Sequence, residues 1–221
     1  MIRQMIKELG LKNSIFNKFL AELRDENIQK DSLRFRRNLE RIGEIFAYEI
    51  SKGMKYEEKD VVTQLGIAKM QLLVDKPVLA TILRAGLPLH QGLLNYFDDA
   101  DNAFVSAYRK YDTSEDFHIK LDYVSSPDIS GRTLIISDPM LATGGSMVAS
   151  LKGLLEKGNP KKIHIVTLFA TEEGIAEVKR HFSLRKTTFW IGKIDTELTA
   201  KSYIVPGLGD AGDLAYGIKD D

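Results

Sequence analysis

The 221-residue sequence contains no cysteine, so the chain can form no disulfide, no thiolate nucleophile and no cysteine-ligated metal site. It also has no excess charge of either sign. Lys plus Arg and Asp plus Glu each number 31, which gives no support for nucleic acid as the main partner. The apolar runs are far shorter than a membrane span, and the first residues, MIRQMIKELGLKNSIF, lack the apolar core of a signal peptide. These absences predict a cytoplasmic protein with no membrane partner and no nucleic acid.

The N-terminal third of the chain is predicted to be largely helical. An apolar content of 43% suffices for a full core, and we expect a single domain over residues 1–221. Residues 1–76 are predicted to hold helices and short strands. Within them, residues 14–54 are helical in character, and either Asp31 or Ser32 is a candidate N-cap. Two short β-like runs, VVTQL and MQLLV, follow in residues 61–74.

The pattern from residue 77 onward predicts an α/β core. In residues 77–200, apolar runs such as VLATIL, TLIIS and KKIHIVTLFA alternate with helical segments, which favours a mostly parallel sheet covered on both faces. Alternating apolar and polar residues predict an antiparallel hairpin at about 103–125. The tail, residues 201–221, is rich in glycine but also carries apolar side chains, so we expect an ordered loop.

The segment SDPMLATGGS follows the apolar strand TLII and is a candidate phosphate site. Asp138 is expected at the strand tip, with Thr143, Gly144, Gly145 and Ser146 around the start of the next helix. Glycines let the backbone approach an anion, and the free N–H groups of a helix N-terminus attract it. A P-loop needs Lys after its last glycine, and the dinucleotide fingerprint needs G-x-G-x-x-G, so neither motif is present. A tight turn without a ligand is the less favoured alternative.

Several motifs together carry a family resemblance. DPMLATGGS resembles the phosphoribosyl diphosphate signature of type I phosphoribosyltransferases, in the form associated with the uracil phosphoribosyltransferase family. The chain is similar to that family also in ILRAG at 82–86, AYRKYD at 107–112 and YIVPGLGDAGD at 203–213, and more loosely in LRDENI and AYEIS. The resemblance implies the type I phosphoribosyltransferase fold, an α/β fold with a mostly parallel central sheet flanked by helices, an antiparallel hairpin lid and an N-terminal helical segment.

The resemblance implies that uracil and 5-phosphoribosyl 1-diphosphate react to UMP and pyrophosphate in pyrimidine salvage. Asp138, Arg84 and Arg109 are the implied catalytic residues. The implied phosphoribosyl diphosphate site consists of Arg84, Arg109, Asp138, Met140, Leu141, Ala142, Thr143, Gly144, Gly145 and Ser146. Asp138 would accept hydrogen bonds from the ribose hydroxyls and the arginines would face the pyrophosphate. Each arginine has an alternative interpretation as a surface charge on a strand or at its end.

The tail is implied to bind the base. Its candidate uracil-binding residues are Tyr203, Ile204, Gly209, Asp210 and Ala211. Backbone N–H and C=O groups of an irregular loop can match the donor and acceptors of uracil, and cytosine would leave buried polar groups unpaired. For Tyr203 a position in the core is an equally good interpretation.

The sequence departs from the family pattern at two places. The signature usually has two adjacent acids, whereas here Pro139 follows Asp138. The cofactor magnesium is therefore expected on the pyrophosphate and sugar rather than on protein ligands. Leu214 stands where a basic residue is common, which leaves any contact made by that residue open.

Two alternatives remain at this point: an RNA-binding pyrimidine regulator on the same fold, and a phosphoribosyltransferase for another nucleobase. A regulator needs a basic face, which the neutral charge balance does not favour. The run Arg34, Arg36, Arg37 and Arg41 is interpreted as a solvated helix face or a subunit contact, and His164 as a satisfied strand residue. The resemblance also implies a homo-oligomer and, as in some members, GTP as an effector.

Overall fold

A computed structural model describes the backbone of residues 5–111 and 117–219, and the side chains of these residues outside 108–120. The strands are β1 (Ile6–Glu8), β2 (Tyr56–Thr63), β3 (Gly66–Leu73), β4 (Val78–Leu83), β5 (Asp101–Tyr111), β6 (Phe117–Ser125), β7 (Thr133–Ser137), β8 (Met140–Leu141), β9 (Lys162–Thr171), β10 (Thr187–Asp195), β11 (Glu197–Leu198) and β12 (Ile204–Val205). The helices are α1 (Ile15–Arg24), α2 (Ser32–Ser51), α3 (Leu87–Leu94), α4 (Gly145–Leu155), α5 (Glu172–His181) and α6 (Ala211–Tyr216).

The central sheet has the strand order β1-β10-β9-β7-β4-β5-β6, with β8 beside β9. All neighbours from β1 to β5 are parallel, and β6 alone pairs antiparallel with β5. The predicted mostly parallel sheet and edge hairpin are therefore confirmed. Residues 112–116, between the two hairpin strands, lie outside the described residues.

Helices cover both faces of the sheet. Successive side chains of the buried strands point to opposite faces and pack into two apolar clusters. Leu79 and Ile135 pack in one cluster with residues of α1, α2, α3 and α6. Ala80 and Ile136 pack in the other with residues of α4 and α5. Because helices cover both faces of the sheet, a ligand site is expected beyond the ends of the strands.

The predicted side-chain cap at the start of α2 is confirmed. The Asp31 side chain accepts a hydrogen bond from the Arg34 amide at 3.1 Å and caps α2.

Within the described residues, no helix is both long and apolar enough to cross a membrane.

Two local predictions need correction. The two predicted β-like runs correspond to two strands, but the bounds differ: β2 spans Tyr56–Thr63 and takes in the charged residues before VVTQL, β3 spans Gly66–Leu73, and Gln64 and Leu65 form the turn between them. Cross-strand contacts such as Lys69 with Glu58, 3.1 Å apart, accommodate these charges on an exposed hairpin. The tail is not only a loop, because its glycine-rich sequence contains β12 and α6.

Candidate active site

The parallel strands end at one edge of the sheet and carry polar residues there. Arg84 directly follows β4, Asp138 directly follows β7, Thr171 ends β9 and Asp195 ends β10. Since ligands of open parallel sheets bind beyond the carboxyl ends of the strands, this edge is the candidate active site.

Asp138 lies at the centre of this edge, on the loop between β7 and β8. Its backbone amide donates to the Val166 carbonyl at 3.1 Å, which fixes its place beside β9. Burial raises the pKa of the Asp138 carboxyl to about 7, against an opposing hydrogen bond from the Met140 amide. A carboxyl with this pKa changes charge near neutral pH, and hydroxyl donors of a bound ligand would favour its anion.

The phosphate loop, residues 140–146, runs from β8 into α4. Met140 and Leu141 pair in parallel with Phe169 and Ala170 of β9. Gly144 is the N-cap of α4 with φ +85°, a left-handed conformation that favours glycine. Helix geometry leaves the first amides of α4 without intrahelical partners, so the loop presents N–H donors to an anion.

Thr171, the last residue of β9, is hydrogen-bonded to the phosphate loop. Its hydroxyl donates to the Ala142 carbonyl at 2.6 Å and accepts from the Gly174 amide at 2.9 Å. Thr171 is thereby also the N-cap of α5. The contact with Ala142 was missed, because it joins segments far apart in the sequence.

The turn of ILRAG begins with Arg84 directly after β4, the strand that pairs with β7. A Cβ on Gly86 would lie 2.6 Å from the Ile82 carbonyl oxygen and 3.1 Å from that of Ser137, so glycine allows the turn to pack against the ends of β4 and β7. The Arg84 guanidinium forms an ion pair with Asp213 of α6, and both side chains are partly exposed. The second predicted arginine, Arg109, lies on β5 opposite Ile119 of β6; its side chain is outside the described ones.

The tail enters the site through this ion pair. Asp210 caps α6 by accepting from the Asp213 amide at 3.0 Å. Ala211 is buried, while Gly209 has φ +95° in the turn before the helix. Ile204 is buried in the core, so only its backbone is available to a ligand.

Tyr203 is 42% exposed. The interpretation of Tyr203 as a core residue is therefore wrong, and its role at the base stays a prediction. Its backbone amide donates to Thr199 Oγ1 at 3.1 Å, and its carbonyl accepts from the Thr199 amide at 2.8 Å.

The residues set aside on sequence grounds have structural partners. His164 Nδ1 lies 2.9 Å from Trp190 Nε1, and burial lowers the pKa of His164 to about 3, so it is a neutral strand residue as predicted. In the arginine run, Arg36 donates to the Ala215 carbonyl at the end of α6, at 2.7 Å. Its neighbours form side-chain contacts: Arg34 with Glu22, Arg37 with Glu40 and Arg41 with Asn38.

The donor set of the site suits a metal that arrives with a phosphate ligand. Among the side chains that the structure describes, those of residues 5–107 and 121–219, no group of three or more His, Asp or Glu could hold a metal ion. Magnesium commonly keeps water ligands and takes few protein carboxylates together with substrate phosphates. One carboxyl beside the phosphate loop, that of Asp138, fits this mode of binding.

Comparison with known proteins shows the family of the chain. The family model described as uracil phosphoribosyltransferase matches residues 11–218. The chain belongs to the uracil phosphoribosyltransferase family. The uracil phosphoribosyltransferase of Porphyromonas gingivalis is 56% identical over 211 residues, covering 96% of this chain and 97% of that protein. The one from Thermococcus gammatolerans is 39% identical over 201 residues, covering 90% and 87%.

A solved structure extends the family match to the fold. A protein from Aquifex aeolicus superposes with a TM-score of 0.85 at 30% identity, covering 97% of this chain and 99% of that one. The resemblance drawn from DPMLATGGS and the tail is therefore confirmed, and the chain is a uracil phosphoribosyltransferase family member with a transferase's fold.

Proposed function

We propose that the protein transfers the phosphoribosyl group of 5-phosphoribosyl 1-diphosphate to uracil, forming UMP and pyrophosphate. The observation that carries this proposal is the convergence of Asp138, the phosphate loop and the Arg84–Asp213 pair at one edge of the sheet. Family membership and the 56% identical relative, named uracil phosphoribosyltransferase, support the choice of substrate.

In this reaction, the bond between the anomeric carbon and the diphosphate oxygen breaks, and the diphosphate leaves with the electron pair. The bond from that carbon to uracil N1 forms, and N1 loses its proton. The chain supplies positioning and charge rather than a covalent intermediate. The N–H donors of residues 140–146 would hold the 5′-phosphate, the Asp138 carboxylate would accept from the ribose hydroxyls, and Arg84 and Arg109 would face the diphosphate.

Magnesium, when bound to the diphosphate, would neutralise charge on the leaving group. The residues of this chain that fit it are few: Asp138 is the one acid of its loop, and Asp213 is engaged by Arg84.

Uracil would bind to the backbone of the tail. The buried Ile204 side chain and the αL turn at Gly209 hold the chain in one conformation, so their N–H and C=O groups have fixed directions. Asp210 would lie near the base, although the N-cap contact already occupies one of its oxygens. Tyr203 and Ala211 complete the proposed base site.

The test is a base panel. The purified protein is mixed with 5-phosphoribosyl 1-diphosphate, magnesium and either uracil, cytosine, hypoxanthine or orotate, and nucleotide and pyrophosphate are measured. We expect UMP from uracil alone, and a much lower rate of UMP formation in Asp138→Asn. Product from another base would assign a different substrate, and no product with any base, together with salt-dependent RNA binding, would favour the regulator.

We further propose a homo-oligomer, with GTP as an effector, since the family resemblance implies both. The exposed apolar side chains of the β2–β3 hairpin, among them Val62 and Leu65, favour self-association. Sedimentation velocity with and without GTP tests both statements, and a monomer unaffected by GTP would contradict them.

A further inference from the structure

A buried ion pair lies between the N-terminal helices and the tail. Arg24, the last residue of α1, meets Asp195, the last residue of β10, through two hydrogen bonds: Nη1 to Oδ2 at 3.0 Å and Nη2 to Oδ1 at 2.8 Å. The Asp195 side chain is 5% exposed and that of Arg24 23%. The guanidinium also stacks on the ring of Phe169 at 3.9 Å, which keeps its plane in one orientation.

The same ion pair binds both polar backbone groups of Gly207. Arg24 Nη1 donates to the Gly207 carbonyl at 3.1 Å, and the Gly207 amide donates to Asp195 Oδ2 at 3.1 Å. Gly207 has φ +48°, and its Cα packs so closely on the Ile204 carbonyl that a Cβ would overlap it. The ion pair therefore fixes the backbone between Ile204 and Gly209, two of the proposed uracil-binding residues.

The geometry also connects the tail to the phosphate loop. Phe169, on which Arg24 stacks, pairs with Met140 at the start of that loop. Asp195 precedes β11 and Gly207 follows β12, so the ion pair closes the base of the β11–β12 hairpin. The ion pair forms hydrogen bonds only with the tail, and its link to the phosphate loop is the indirect one through Phe169.

We propose that Arg24 and Asp195 are positioning residues that set the uracil-reading conformation of the tail. The inference rests on the proposed function. Neither side chain needs to touch uracil, because they act through the Gly207 peptide groups. A lysine at position 24 could not make two hydrogen bonds to Asp195 and a third to Gly207 in one plane, so the guanidinium is specifically required.

The test compares Arg24→Met, Arg24→Lys and Asp195→Asn with the wild type in steady-state assays that vary uracil and 5-phosphoribosyl 1-diphosphate separately. We expect the KM for uracil to rise about tenfold or more in Arg24→Met, and less in Asp195→Asn, which keeps the shape of the side chain. The KM for 5-phosphoribosyl 1-diphosphate should change less than about twofold. Amide exchange of residues 203–209, measured by mass spectrometry without substrate, should also be faster than in the wild type. The increase should be larger in Arg24→Met than in Asp195→Asn.

Arg34→Met is the matched control. Arg34 also forms two hydrogen bonds to a buried carboxylate, that of Glu22 on α1, at 3.0 and 2.8 Å, but the pair joins α1 to α2 and not to the tail. We expect a lower Tm in this variant and no change in either KM.

Three results would overturn the proposal. Uracil KM and tail exchange in Arg24→Met could match those of Arg34→Met, which would leave the ion pair a purely structural role. Both KM values could rise together, which would mean a general loss of the site. A wild type that forms no UMP would reject the proposed function itself and the inference with it. In the first two cases the wild type is active, so the inference alone is rejected.

Discussion

At the scale of single residues, Asp138 makes the most direct prediction about pH. Burial raises the pKa of its carboxyl to about 7 in the ligand-free protein, and binding of the ribose hydroxyls favours the ionised form. We therefore expect kcat/KM for 5-phosphoribosyl 1-diphosphate to increase from about pH 6 to about pH 8, since this parameter reports ionisations of the free enzyme. The substrate's own ionisation is common to all variants, so the wild-type profile is compared with that of Asp138→Asn, which should be lower and lack the step.

The Asp138 carboxyl should also make the free energy of unfolding depend on pH. Because its folded-state pKa lies above the unfolded value, the folded protein retains a proton that the unfolded chain has released between about pH 4 and pH 7. Its contribution therefore falls as pH rises through that window. Asp138→Asn should exceed the wild type in unfolding free energy by on the order of 2 kcal/mol at about pH 8, with the gain shrinking towards pH 4. A constant difference across denaturant titrations at several pH values would contradict a raised pKa.

At the scale of elements, the phosphate loop depends on the start of α5. Thr171→Val removes both the hydrogen bond to the Ala142 carbonyl and the N-cap contact with Gly174. We expect the KM for 5-phosphoribosyl 1-diphosphate to rise about threefold to tenfold, and the unfolding free energy to fall by about 1 kcal/mol. Thr171→Ser keeps the hydroxyl and serves as the control. Equal kinetics for Val and Ser would show that the loop keeps its conformation without this bond.

The Arg84–Asp213 ion pair predicts a competition between the tail and pyrophosphate for one cation. Both side chains are partly exposed, so the pair itself is worth only about 0.2–1 kcal/mol. Asp213→Asn should therefore lower the Kd of magnesium pyrophosphate by about twofold to fivefold in titration calorimetry, whereas Arg84→Met should raise it. Weaker binding in Asp213→Asn would instead mean that Asp213 holds Arg84 in its binding orientation.

At the scale of the whole molecule, the sequence predicted what depends on neighbouring residues. Buried strands such as VLATIL and TLIIS, the acid at a strand tip and the glycine turn of α4 are local patterns, and all lie where they were expected. The contacts of Arg24 with Asp195, of Arg84 with Asp213 and of Thr171 with Ala142 were missed, because each joins residues of different segments. The helix α6 was missed because glycine and aspartate in GDAGD predict turns, whereas here Asp210 caps a helix.

A last prediction concerns magnesium and the stability of the whole chain. Among the described residues no group of three or more carboxylates or histidines could hold a resident metal. If magnesium arrives with the diphosphate, EDTA should abolish UMP formation, and excess magnesium should restore it. The same EDTA treatment should leave the Tm of the ligand-free protein unchanged within about 1 °C, because a metal that arrives only with the diphosphate does not stabilise the ligand-free folded state. The Tm is measured by calorimetry with and without EDTA, and again with 5-phosphoribosyl 1-diphosphate present. Only in that last case should chelation lower the Tm; a decrease in the ligand-free protein would reveal a resident metal.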